Sequence, residues 1–158
     1  MTPINACHEL AAVSERIVAA DPDIEANDFL RALGSAVAGI DPGIEGIADL
    51  ARGGRNNIWG KGFADEFDDG TNGQARHFAG VAAAVAIFGG RMTDVITSTF
   101  LDDPDSPDGR LSESAIEFAR LVLAGDLPTA ETPDWILDNL CASEPDVPAI
   151  RIEPTRTG

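Results

Sequence analysis

The sequence predicts an all-α fold: a single compact bundle of six or seven helices around a central apolar helix at about 72–88, with an extended C-terminal tail. Three observations carry this expectation. Apolar residues recur at three- and four-residue spacing along most of the chain. Helix start and stop signals, Asp-Pro, Thr-Pro and Gly, fall between those stretches. No pair of alternating strand-like segments is evident.

Leu10, Val13, Ile17 and Ala20 form the first stripe, with Glu9, Glu15 and Arg16 off it. Asp21-Pro22 reads as an N-cap followed by proline at the first helical position. The helix it opens turns Phe29, Leu33, Val37 and Ile40 inward and stops at Gly39. Asp41-Pro42 repeats the start signal, and Ile44, Ile47, Leu50 and Ala51 make the next stripe. The recurrence of Asp-Pro-x-Ile-Glu fits shared capping chemistry better than a duplication, since the match fades after the first turn.

The stretch from Gly53 to Gly73 has no helical period and holds glycine at 53, 54, 60, 62, 70 and 73. So long an irregular segment within a compact domain is usually functional or disordered. Trp59, Phe63 and Phe67 argue against disorder and read as anchors holding the loop to the body. From Asn72 a helix follows that is apolar on nearly every side, ending or kinking at Gly89-Gly90. Arg91–Leu101 continues as a short helix. Asp102–Gly109 is a second acidic, turn-rich loop, and Ser112 caps a helix with Ala115, Phe118, Ala119 and Val122 inward, ending at Gly125. Thr132-Pro133 opens the last helix, with Trp135, Ile136, Leu140 and Cys141. Residues 1–144 thus form the helical domain, and 145–158 the tail, where Val147, Ile150 and Ile152 alternate with polar residues.

The chain has 158 residues, with 11 Lys+Arg against 27 Asp+Glu and a formal charge of -16. That excess excludes sequence-independent binding to nucleic acid and to anionic membranes, which need a cationic surface. The longest apolar run, Phe78 to Phe88, falls far short of the roughly 20 residues of a membrane span. No secretory leader is apparent, so a cytoplasmic location is expected. Cys7 and Cys141 are then read as two buried thiols, the alternative being one bond that closes nearly the whole chain.

Charge is unevenly distributed. Residues 52–77 balance Arg52, Arg55, Lys61 and Arg76 against Asp65, Glu66, Asp68 and Asp69, and they include Asn56, Asn57 and Asn72. This neutral stretch is the default place for a site. Asn72 and Arg76 share a helix face if the helix begins at Asn72, and His77 lies about 100° away, toward the apolar side. His77, Arg76 and Asn72 are therefore the candidate catalytic residues: a histidine entering a core, beside a cation suited to a phosphate or carboxylate at a helix start. The competing reading is a buried structural histidine, with Arg76 paired to Asp68 or Asp69. Arg55, Trp59, Lys61, Asp68 and Asp69 are the candidate ligand-binding residues.

The segment Asp69-Gly-Thr-Asn72-Gly-Gln-Ala-Arg76-His77-Phe78, opening an Ala/Gly-rich helix, resembles the Asn-x-x-Arg-His segment of uncharacterised helical domains in bacterial secreted and polymorphic-toxin-like proteins. Here three residues, not two, separate the Asn from the Arg. The resemblance covers only these residues and draws attention to Arg76 and His77 without supplying a mechanism.

No metal or cofactor is assigned. An EF-hand template fails from Asp65, where Phe67 and Arg76 fill the third and twelfth positions, and from Asp68, where Gly70 and Ala79 do. Asp102, Asp103, Asp105 and Asp108 read as solvated turn acids, with an irregular Ca²⁺ site as the alternative. The leading functional expectation is an acidic helical protein acting through a protein partner or homo-oligomer by way of its C-terminal tail. The alternatives are a small hydrolase-like or effector enzyme at Asn72, Arg76 and His77, and small anionic ligand or Ca²⁺ binding by the 53–77 loop.

Overall fold

The structure, a computed structural model, describes residues 5–39, 58–89 and 105–143. Among them are five α-helices: α1 (Ala6–Ala20), α2 (Ala26–Ala38), α3 (Gln74–Phe88), α4 (Pro107–Ala124) and α5 (Thr132–Asn139). Single 3-10 turns cover Asp65–Phe67 and Thr129–Glu131. No strand forms among the described residues, in keeping with the all-α expectation. The expected helices at 41–51 and 91–101, and the tail at 145–158, lie outside the described residues.

Local signals explain most helix ends. The Asn5 side chain caps α1 by accepting the His8 N–H at 2.9 Å. Gly39 and Gly125 end α2 and α4 in the left-handed region, at φ 66 and 83 degrees, as expected of both glycines. Thr132-Pro133 opens α5, and the Thr132 hydroxyl donates to the Thr129 carbonyl at 2.8 Å.

Three expected starts are corrected. Asp21-Pro22 closes α1 instead of opening α2: the Asp21 N–H returns to Ile17 and Val18 carbonyls, and its carboxylate accepts from Asp23 N at 3.3 Å. This is a turn stabilised by an aspartate side chain, with proline disfavouring helical geometry at the residue before it. α4 begins five residues before Ser112, at Pro107, because Ser106 accepts from the Gly109 N–H at 3.0 Å and Pro107 takes the first helical position. Ser112 is therefore a buried residue inside the helix. α3 begins at Gln74, leaving Asn72 outside it.

α3 lies largely within the core. All of it is buried apart from Arg76, His77, Ile87 and Phe88, which are half-buried. A helix buried along most of its length needs neighbours on several sides, and α2 and α4 supply most of them. Gly34 of α2 makes the approach possible: a Cβ there would stand 2.5 Å from Ala83 Cβ and 3.5 Å from the Ala79 carbonyl oxygen. At the far end of α3, the Asn27 side chain donates to the Ala86 carbonyl at 2.8 Å, satisfying a terminal acceptor that has no helical partner. Phe29, Phe78, Phe118 and Trp135, one from each of α2 to α5, meet with ring centroids 5.0 to 6.5 Å apart.

Cys7 and Cys141 are joined in a disulfide, so the expectation of two separate thiols is corrected. Their positions in sequence hide their nearness, with a separation of 134 residues and Cα atoms 5.5 Å apart. The segment 61–64 is threaded through the same point. Lys61 O accepts from Ala6 N at 2.7 Å, Gly62 O from Ala142 N at 2.8 Å, and Ala64 N donates to Leu140 O at 2.9 Å. Gly62 is required there: its φ is +115 degrees, and a Cβ would fall 2.1 Å from the Asn5 Oδ1 that caps α1.

Helix propensity alone would make Gly34→Ala stabilising by about 1 kcal/mol. Overpacking a close helix contact costs about 1–3 kcal/mol, and the Ala83 methyl has no rotamer with which to retreat. Gly34→Ala is accordingly expected to lower stability by about 1–2 kcal/mol in denaturant unfolding; a gain would mean that α2 and α3 part without cost.

Candidate functional site

The loop before α3 is held from both sides. Phe63 and Phe67 are buried and act as the anchors expected of them, whereas Trp59 is 60% exposed and anchors nothing. That correction follows from position: Trp59 precedes the 61–64 tie, and Ile58 takes the buried place beside it. Arg110 of α4 secures the 3-10 turn by donating through Nε to Glu66 O at 3.0 Å, while its Nη1 donates to the Asp105 carbonyl.

Of the ligand-binding candidates, the structure brings Lys61, Asp68 and Asp69 together. Lys61 Nζ lies 3.4 Å from Asp68 Oδ1 and donates to the Thr71 carbonyl at 3.2 Å. Asp68 Oδ1 also accepts from Gly70 N at 2.9 Å and from Gln74 Nε2 at 3.3 Å. Asp69 Oδ1 accepts from Thr71 N at 2.9 Å, Thr71 Oγ1 at 2.6 Å and Gln74 Nε2 at 3.0 Å. Partial burial pushes the Asp69 carboxyl up. Hydrogen bonds from the Thr71 hydroxyl and N–H and from the Asp108 carboxyl outweigh it, holding the pKa below its ordinary value. These oxygens already serve as acceptors within the loop. Among the described residues, no group of three or more His, Cys, Asp or Glu is placed to hold a metal ion. Arg55, and Asp102 and Asp103 of the second acidic loop, lie outside the described residues.

The catalytic candidates are placed differently. Asn72 stands before α3, its carbonyl accepting from Gly60 N at 3.2 Å, while its side-chain oxygen is buried without a partner. Arg76 and His77 occupy the first turn of α3, both half-buried. His77 Nε2 lies 2.6 Å from the Ser112 hydroxyl of α4. Such a bond is the arrangement by which a base activates a hydroxyl nucleophile. Ser112, however, is fully buried, so its hydroxyl presents no surface to a reagent. As it stands, the bond joins α3 to α4 inside the core.

Sequence reasoning missed Ser112 as His77's partner, and Gln74, buried with its Oε1 unpartnered, as the residue beneath the acidic pair. Ser112 had a legible signal. It lies in the stripe Leu111, Ala115, Phe118, Ala119 and Val122, where a polar side chain needs a partner. Gln74 had none, since its neighbours are set by how the loop folds back.

No protein-family model, curated protein or solved structure matches the chain.

The His77–Ser112 bond is testable by a double-mutant cycle. His77→Ala is expected to cost about 1–3 kcal/mol, since it orphans the buried Ser112 hydroxyl, and Ser112→Ala about 1 kcal/mol, since His77 is half-buried. The double variant should cost less than the sum by roughly 1 kcal/mol; strict additivity would deny the bond any energetic role. Asp69 gives a pH prediction. Its lowered native pKa contributes stability that is fully present above the unfolded value near pH 4 and is lost as pH falls through the native value. Asp69→Asn should therefore flatten the acid limb of a Tm-against-pH curve; an unchanged slope would place the acid sensitivity elsewhere.

Proposed function

We propose that the chain acts by contact with another protein and performs no chemistry at residues 72–77. Trp59 carries this reading. Its indole is 60% exposed, while Phe29, Phe63, Phe67, Phe78 and Phe118 are buried. Tryptophan is enriched at the centres of protein interfaces, where its large surface is desolvated only on binding. Charge favours a heterologous partner over a homo-oligomer, because two copies each carrying -16 repel within a Debye length of about 8 Å, whereas a cationic partner is drawn in. The C-terminal segment 145–158 stays in the proposal as a further contact. The whole chain is read as six or seven helices about a central α3, with helices at 41–51 and 91–101 completing the number.

The disulfide supports an oxidising compartment in place of the cytoplasmic one expected from sequence, since such bonds are rare in a reducing cytosol. Among the described residues, no helix is long and apolar enough to cross a membrane.

A second reading is a hydrolase-like or effector enzyme at Asn72, Arg76 and His77, favoured by the 2.6 Å His77–Ser112 contact and by the local resemblance around Arg76 and His77. It requires a movement that exposes Ser112. The ligand or Ca²⁺ reading of the 53–77 loop is the least supported, because Asp68 and Asp69 already accept from Lys61, Thr71 and Gln74.

Site-specific photocrosslinking tests the contact reading. A photoreactive residue at position 59, in cells of the native host, is expected to give a discrete adduct. The same residue at Glu117, exposed on α4, should give none. No adduct at 59, or identical adducts at both positions, would overturn the reading.

A further inference from the structure

Resting on that contact reading, we propose that the trough between α1 and α5 receives a short, cationic, amphipathic helix of the partner. The trough has a volume of about 590 Å³. One wall is His8, Ala11, Ala12 and Glu15 of α1. The other is Ala130, Pro133, Asp134 and Leu137, from the 3-10 turn into α5. The α1 wall follows i, i+3, i+4, i+7 spacing, one face of two helical turns roughly 10 Å long, and Pro133, Asp134 and Leu137 face it from the first turns of α5. Small side chains on both walls, Ala11, Ala12 and Ala130, let a backbone approach closely, and a third helix of about two turns matches the length of the trough.

The chemistry of the occupant follows from what lines the trough. Leu137 is 40% exposed, one of three large apolar side chains so exposed among the described residues, and it offers the apolar anchor. Glu15 and Asp134 are exposed on opposite walls, and among the described residues no Lys or Arg lines the trough. An apolar floor between two acidic edges complements a helix with an apolar stripe bordered by Lys or Arg. The neighbouring trough between α1 and α2 lacks this complementarity: it is lined by Glu9 and Arg16, which pair with each other at 2.9 Å. The chain's own tail is a poorer occupant, because Asp146 and Glu153 offset Arg151 and Arg156 and leave it no net positive charge.

The test uses the full, disulfide-intact chain at physiological salt and two synthetic peptides. One is a helical peptide of Leu, Ala and Lys with its Leu residues on a single stripe. The other has each Lys replaced by Glu. The Lys peptide is expected to shift backbone amide resonances of residues 8–15 and 130–137, and the Glu peptide to bind at least tenfold more weakly. Glu15→Lys with Asp134→Lys should weaken the Lys peptide about tenfold. The matched change Glu113→Lys with Glu117→Lys on exposed α4 positions should alter binding less than twofold. Leu137→Ala, with its Tm followed to confirm folding, should also weaken binding several-fold. Equal weakening by the two charge-reversed pairs would reduce the effect to general attraction by an acidic surface and overturn the proposal, as would shifts centred elsewhere or no binding. Failure here alongside a discrete adduct at position 59 would remove the trough and leave the contact reading standing.

Discussion

Everything in this fold is closed at one point, where the start of α1, the segment 61–64 and the end of α5 meet. The Cys7–Cys141 disulfide spans 134 residues, and in the loop-closure picture such a bond stabilises by about 5 kcal/mol, through the freedom it removes from the unfolded chain. That is comparable with the whole net stability of a small domain, about 5–15 kcal/mol. The backbone bonds around it do something the covalent link cannot. They fix the 61–64 segment against both ends of the chain, and so position Phe63 and Phe67 in the core and Asp68 and Asp69 above the start of α3. The same closure sets α1 beside α5 and thereby forms the trough between them.

The second constraint is the dryness of α3. Most of its length is buried, so polar groups near its ends need partners within the protein. At the C-terminal end, Asn27 meets the Ala86 carbonyl. At the N-terminal end the demand is heavier, and Gln74, His77, Ser112, Asp69 and Thr71 form the polar surroundings that answer it. Polar residues gathered at the mouth of a buried helix look like a site from sequence, because the types coincide with those of catalysis. Many of their bonds here are made to one another, although Asn72 Oδ1 and Gln74 Oε1 stay buried without a partner.

The sequence was legible where signals are local. Periodicity alone placed Phe29, Leu33 and Val37, the buried run of α3, and Phe118 and Val122 inward, because a helix repeats its exposure every 3.6 residues whatever it packs against. Gly39, Gly125 and Thr132-Pro133 marked ends correctly, since capping is settled by a few adjacent residues. Asp21-Pro22 misled because the same pair serves equally as a helix start and as a turn. Ser112 misled because a serine before an apolar stripe resembles a cap, and only Ser106-Pro107 further upstream displaced it.

By itself, then, the sequence determined the fold class, the dry helix, the acidic excess and the neutral stretch, all of which follow from composition and short-range spacing. Only the tertiary structure decided that Cys7 meets Cys141, that His77 meets Ser112, that Lys61 stands by Asp68, and that Trp59 faces solvent. Each of these joins residues far apart in sequence or depends on how a loop without periodicity folds back. No local propensity encodes such pairings; they are fixed by the packing of the whole chain.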